Sequence, residues 1–217
     1  SICLYYVELK KPDIDDPTAD LERVCEALER EHALKGLRAD IWALRDLPSA
    51  LREGDWKVTV SVWNNEEIIR VRPGKHEDAF GLAIDVGTTT IAAYLCNLRT
   101  MEVVDTVSMM NPQCKYGEDV MARITYHMTA SDGLKRMGED IIEGLNSLVE
   151  QAVANTYPPK KKRKDEEGNA VEVEEPEEGK TYYRLTHEDI EEISLGGNTA
   201  MHHILLQLDP KHVSLAP

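Results

Sequence analysis

Six residues, Asp85-Val86-Gly87-Thr88-Thr89-Thr90, constrain the fold of this chain more than any other stretch. The apolar run Leu82, Ala83, Ile84 ends in a carboxylate, passes through a glycine and three hydroxyls, and resumes over residues 91–95. Apolar runs on both sides of so small a polar break predict two strands joined by a very tight turn. Gly87 permits a backbone conformation that a side chain would forbid, and it lets main-chain N–H groups come close to an anion. Threonine hydroxyls donate to phosphate oxygens, and Asp85 stands where a carboxylate can hold a metal-bound water. The turn therefore reads as a phosphate clip, with an ordinary Gly/Thr hairpin as the alternative. It is not a P-loop, because Gly-x-x-x-x-Gly-Lys-Ser/Thr occurs nowhere in the sequence.

A chain of 217 residues has room for one large domain or two modest ones, and two fit the order of elements better. The net charge of −15, from 40 acidic and 25 basic residues, argues against nucleic acid as a partner, since no surplus of cations is present to displace counterions. Cys3, Cys25, Cys96 and Cys114 lie at wide, unequal intervals without a Cys-x-x-Cys pair, so they read as free thiols of a reducing cytoplasm. No apolar run approaches the roughly 20 residues of a membrane helix, and no basic-then-apolar leader opens the sequence. A soluble, cytoplasmic protein without a membrane partner is the expectation.

In chain order, residues 2–9 predict a strand, and a helix follows over 19–35, capped by Asp16 or Thr18 and ended by Gly36. Pro48 suits the first turn of a short helix reaching about Glu53. Alternation over 56–63, a turn at Asn64-Asn65 and a return over 68–72 predict a β-hairpin. These elements make a small α+β domain over 1–79 with a polar linker at its end. From Phe80, two strands and a third over 102–109 predict an antiparallel meander, then a loop over 111–117 and helices over 118–128 and 134–156. Ile141, Ile142, Leu145, Leu148, Val149 and Ala152 form the apolar face of the second helix. Residues 158–180 join a basic run to an acidic one and predict a disordered, solvated excursion. Pro-Lys-Lys-Lys-Arg-Lys within it has the look of a nuclear-import signal, yet acids compensate it at once. A strand over 190–195, Gly196-Gly197-Asn198 and a helix over 199–208 complete the pattern.

This order of strand, phosphate turn, two strands, long helices, strand and helix resembles the start of one lobe in the acetate kinase, sugar kinase, Hsp70 and actin superfamily. Three strings narrow the resemblance: Gly81-Leu-Ala-Ile-Asp-Val-Gly-Thr-Thr-Thr90, Met110-Asn-Pro-Gln-Cys-Lys-Tyr-Gly-Glu-Asp-Val-Met-Ala-Arg-Ile124 and Gly197-Asn-Thr-Ala-Met-His-His203. In that order and spacing they resemble the reductive activators of corrinoid proteins, ATP-dependent redox proteins. The first segment is similar to the small middle domain of those proteins. The implied fold class is α/β (α+β): that domain, then from 80 to 217 a partial actin-like lobe of ribonuclease-H type with a mixed sheet. The resemblance also implies a two-iron two-sulfur cluster on a ferredoxin-like domain, whose ligand pattern these four cysteines do not supply. On that reading the chain is a fragment with half of a nucleotide site, expected to bind ATP weakly or not at all by itself.

The resemblance further implies that Asp85 positions magnesium through water, with Gly87, Thr88, Thr89 and Thr90 on the phosphates of ATP. Gly197, Asn198 and Thr199 stand between a strand and a helix, where free N–H groups favour anions, although a plain helix cap fits equally well. Asn111 and Gln113 are candidate partner-binding residues, the partner being a corrinoid iron-sulfur or corrinoid methyl-transfer protein. His202 and His203 point to different helix faces and read as one buried and one exposed residue rather than metal ligands. Cys114 reads as a lone loop thiol. Two other functions stay open: a small-molecule kinase of the same superfamily, and a docking module that binds a partner or a second copy as a homodimer.

Overall fold

The computed structural model describes residues 1–164 and 169–213, with the side chain of Lys164 left aside. It is a mixed α/β structure that divides into two compact units, one of residues 1–80 with 97–101 and the other of 81–96 with 102–217.

In the first unit the strand order is β1-β3-β4-β2, formed by Ile2–Glu8 (β1), Arg38–Ala39 (β2), Lys57–Trp63 (β3) and Glu67–Pro73 (β4). β1 and β3 run antiparallel from Ile2↔Trp63 to Glu8↔Lys57, and β2 lies parallel to β4. The β3–β4 hairpin closes on Asn64 and Asn65, both with positive φ (51° and 57°), and Glu66 N–H donates to Trp63 O over 3.0 Å. Two consecutive left-handed residues match the right-handed twist of the strands they join, and asparagine tolerates them.

Helix α1 (Asp20–His32) and helix α2 (Ile41–Glu53) cover this sheet. Val24, Leu28, Leu47 and Leu51 pack with Val7, Val58, Val60, Val62, Ile68 and Val71 in one buried cluster. α1 is shorter than the pattern predicts, because Ala33 takes the left-handed C-cap conformation at φ 58° three residues before Gly36. Asp16 and Thr18 do not cap it. The Asp16 carboxylate instead accepts from the nearly buried Arg23 over 2.8 Å, and that guanidinium holds it well below the usual carboxylate range. α2 begins at Ile41 on an Asp40 cap, so Pro48 sits inside the helix rather than in its first turn. β3 is buried on both faces, the polar Thr59 included. Its hydroxyl donates to Gly74 O (2.8 Å) and accepts from His76 N–H (2.9 Å), satisfying a group that alternation alone would place in water.

The second unit carries the sheet β10-β5-β6-β7, from Phe80–Val86 (β5), Thr90–Asn97 (β6), Glu102–Met110 (β7) and Ile190–Gly197 (β10). Leu82, Ile84 and Val86 alternate with exposed Ala83 and Asp85, and Ile91, Ala93 and Leu95 continue the buried face on β6. Helix α3 (Val120–Thr129) starts on an Asp119 cap, and helix α4 (Gly133–Ala154) buries Met137, Ile141, Leu145, Leu148 and Ala152. Each such buried Leu, Ile or Met side chain contributes roughly 1.5–3 kcal/mol. Ile142 lies outside that stripe at 47% exposure, one helical step from the core, which corrects its assignment to the apolar face. Helix α5 (Thr199–Leu205) follows β10 and is three residues shorter than its pattern suggests.

The charged excursion is not featureless. Lys160–Lys164 (β8) and Ala170–Glu174 (β9) pair antiparallel, setting Lys160 opposite Glu174 and Lys162 opposite Glu172. Lys161 and Arg163 both reach Glu175, and Arg184 pairs with Glu174. The basic run and the acidic run compensate each other across a hairpin, which overturns the expectation of disorder for these strands. The middle of the excursion, 165–168, lies outside the described residues. Its root is fixed where Thr156 O accepts from Arg184 N–H (3.0 Å) and Thr156 Oγ1 accepts from Leu185 N–H (2.9 Å).

Candidate functional site

The end of β5 delivers Asp85 and Val86 to the turn, and Gly87, Thr88 and Thr89 carry the chain into β6 at Thr90. A Cβ built on Gly87 would stand 2.4 Å from the carbonyl oxygen of Thr90. That is too close for any side chain, so the turn requires glycine for space. Asp85 is exposed, and among the described residues its carboxylate has no hydrogen-bond partner. The N–H groups of Thr88 and Thr89 likewise meet no acceptor among the described residues.

The carbonyls of the turn, by contrast, are all held. Asn111 Nδ2 donates to Gly87 O (2.8 Å), Asn111 N–H donates to Thr89 O (2.7 Å), and Arg123 Nη2 donates to Thr88 O. Asn111 follows β7 and caps a short 3-10 helix, Pro112–Tyr116, by accepting from Gln113 N–H. Gln113 Nε2 donates to Met137 O in α4 over 3.0 Å. Asn111 is 0% exposed and Gln113 1%, so neither is displayed to a partner. Their sequence-based assignment as partner-binding residues is corrected to support of the turn: a polar loop residue goes inside when backbone groups there need donors.

Arg123 is the residue of this site to which the sequence reading gave no role. It is completely buried, with Nε on Gly117 O (3.0 Å), Nη1 on Gln113 Oε1 and Met201 Sδ (3.3 Å each), and Nη2 on Cys114 Sγ (3.4 Å) as well as Thr88 O. No carboxylate lies within ion-pair distance of it among the described residues. Burial lowers its pKa from the ordinary value, the nearby Cys114 thiol and Asp119 opposing this in part, yet a guanidinium stays charged at neutral pH. A signal was present in the sequence: Arg123 adjoins Ile124 on the inward side of α3, where a cation needs a reason.

Asn198 joins the turn from the other side. Its Oδ1 caps α5 by accepting from Met201 N–H (3.1 Å), and its Nδ2 donates to Thr88 Oγ1 (3.2 Å). Gly197 runs close to β5, where an added Cβ would lie 3.0 Å from Val86 O. Thr199 is exposed. The structure thus brings Asn111, Arg123 and Asn198 to Gly87, Thr88 and Thr89. His202 and His203 are both half-buried, not one in and one out, and His203 Nδ1 contacts Thr199 O at 2.8 Å. Among the described residues no group of three or more His, Cys, Asp or Glu could hold a metal ion. Cys114 is not a lone loop thiol, since its Sγ lies 3.8 Å from Thr88 O and 3.9 Å from Thr89 O.

An exposed carboxylate, free amides on a glycine turn and a buried cation behind it suit a polyphosphate carrying a hydrated divalent cation. A cavity of about 780 Å³, lined in part by Asp105, Tyr157, Lys160, Glu174 and Tyr182, includes none of the turn residues.

Comparison with known proteins finds relatives for both units. The RACo linker region matches residues 1–78, and the RACo middle region matches residues 80–164. The term "middle" therefore belongs to the stretch that holds the turn, and the first unit is the linker region. A corrinoid activation enzyme, RamQ of Eubacterium limosum, is 29% identical over 143 residues, 66% of this chain and 20% of that protein. The solved structure of a reductive activator for corrinoid, iron-sulfur protein aligns with all of this chain and 31% of its own, at 27% identity and a TM-score of 0.73. The chain therefore spans about a fifth and about a third of the lengths of these two relatives. In succession, then, the chain carries matches to the RACo linker region and the RACo middle region, and it shares its fold throughout with a reductive activator for corrinoid, iron-sulfur protein.

Proposed function

We propose that this protein serves as an ATP-dependent reductive activator, which returns one electron to cobalt(II) of a corrinoid iron-sulfur or corrinoid methyl-transfer protein and so restores cobalt(I). The observation that carries this reading is the structural likeness to a reductive activator over the whole chain. Magnesium ATP is the proposed ligand of the turn, in an actin-like lobe. Thr88 and Thr89 offer N–H groups and hydroxyls to the phosphates, Thr90 adds a hydroxyl, and Gly197, Asn198 and Thr199 border the same place. Asp85 is the proposed holder of metal-bound water. The electron carrier on this reading is a two-iron two-sulfur cluster, whose ligand pattern the widely spaced Cys3, Cys25, Cys96 and Cys114 do not supply.

Reduction of cobalt(II) is uphill for ordinary donors. Nucleotide binding assists only if it favours one conformation of the complex over another. For one electron about 59 mV is a factor of ten, so a differential of about 3–4 kcal/mol shifts the effective potential by roughly 150 mV. The test is corrinoid reduction by the intact protein, followed through the cobalt(I) absorbance with and without magnesium ATP. Equal extents of reduction in both would end the ATP-coupled reading, and no cobalt(I) in either would end the activator reading.

A further inference from the structure

We infer that Arg123 is a positioning residue for the polyphosphate site, fixing the turn from behind so that its amides face outward and lending the bound anion an unneutralised positive charge. The inference rests on the polyphosphate reading of residues 85–90.

Two observations support it. Three consecutive carbonyls, those of Gly87, Thr88 and Thr89, each accept from a donor behind the turn: Asn111 Nδ2, Arg123 Nη2 and Asn111 N–H. In a trans peptide the C=O and the following N–H point in opposite directions, and no cis peptide occurs among the described residues. Holding those carbonyls inward therefore turns the N–H groups of Thr88, Thr89 and Thr90 away from Arg123 and Asn111. Successive amides facing one way form an anion nest. Asn111 makes two of these anchors. The central one is made by Arg123.

The second observation is the charge itself. A guanidinium that is 0% exposed meets only neutral acceptors: two carbonyls, one side-chain amide oxygen and two sulfur atoms. A structural tie for one carbonyl needs no cation, since Asn111 does the same with an amide. Burying a cation without a counter-ion is costly, and the cost is recovered when an anion binds close by in low dielectric. Asp119 acts on Arg123 only from beyond ion-pair distance, so no described carboxylate neutralises it in contact. A bound polyphosphate would add the missing negative charge.

The experiment compares wild type, Arg123→Gln and Arg123→Lys in the intact protein, titrated with magnesium ATP, inorganic tripolyphosphate and adenosine, and with magnesium ATP at several salt concentrations. Arg123→Gln should weaken magnesium ATP and tripolyphosphate by about tenfold or more, the scale of a lost charge-assisted contact. Adenosine binding should stay within error, and the ionic-strength dependence of magnesium ATP binding should flatten because one attracting charge is gone. Arg123→Lys keeps the charge but not the fork, so it should keep the wild-type salt dependence while binding more weakly. Polyphosphate affinity of Arg123→Gln within twofold of wild type, alongside a clear loss in Thr88→Val, would overturn the role of Arg123 and leave the site standing. Wild type that binds neither magnesium ATP nor tripolyphosphate would overturn both. If Arg123→Gln does not fold, the Arg123 Nε–H resonance of wild type decides, assigned by its absence from Arg123→Lys: a shift on adding tripolyphosphate is expected, and an unmoved resonance overturns the inference.

Discussion

The side-chain amide of Asn111 donates to the carbonyl of Gly87 over 2.8 Å, although 24 positions separate them. The same side chain accepts from Gln113 N–H at 2.9 Å, so one buried residue orders both the Gly87–Thr89 turn and the short helix beside it. Asn111→Ala removes both bonds and leaves two backbone groups without partners. It should lower stability by about 1–3 kcal/mol and weaken magnesium ATP binding. Asn111→Asp should weaken binding further, since it sets a carboxylate against a carbonyl oxygen at the back of the proposed anion site. Denaturant midpoints and nucleotide titrations on the three proteins check this, and wild-type behaviour in both variants would show that the contact is dispensable.

Pro48 lies eight residues into α2, where it supplies no N–H for the helical ladder. Proline inside a helix is worse than alanine by about 3 kcal/mol in isolated helices, and the packing of Leu47 and Leu51 already fixes this one. Pro48→Ala should therefore stabilise the protein, by about 1–3 kcal/mol. A fall in the urea midpoint would mean that α2 needs the proline for its bend.

The Asp16–Arg23 pair gives the first unit a pH dependence of known sign. Asp16 is depressed in the folded protein, chiefly by its hydrogen bond from Arg23. Its contribution is complete above the unfolded carboxylate value, about 3.9, and is lost as pH falls below that point toward the lower folded value. Asp16→Asn should thus be less stable than wild type at pH 7, with the gap closing as the pH approaches 3. Urea denaturation at pH 7, 5 and 3 reads the difference, and a gap that does not change with pH would assign the contribution to packing.

The β8–β9 hairpin leaves and re-enters the second unit at neighbouring points, fixed by Thr156 with Arg184 and Leu185. Its ion pairs are solvent-exposed and contribute little each. Replacing residues 160–180 with a short Gly-Ser turn should change stability by no more than about 1–2 kcal/mol, since loop closure depends only weakly on length. A larger loss on thermal melting would show that the hairpin is part of the core rather than an addition to it.

The sequence by itself determined most of the elements and the position of the turn. Strands such as β1 and β3 and helices such as α4 follow from side-chain periodicity, and the hairpin at Asn64-Asn65 from residues that tolerate left-handed backbone. Gly87 was legible as a turn residue, although what requires it is space against Thr90 O rather than a left-handed backbone. Where a local rule competed with a distant partner, the partner prevailed. Asp16 left its capping place for Arg23, and the basic run of β8 found its acids in β9 and Glu175.

Only the tertiary structure decided what stands behind the turn. Asn111 and Gln113 look like exposed loop polars because nothing near them in sequence needs a donor; folding brings Gly87 O and Met137 O to them. Arg123 lies 35 positions from Thr88, and no spacing rule links a helical arginine to a carbonyl in the bend between two strands. Periodicity reports which face of an element is buried. The identity of the group across the interface is set by how β5, β7, α3 and α5 pack, and the support of this site is made of such groups.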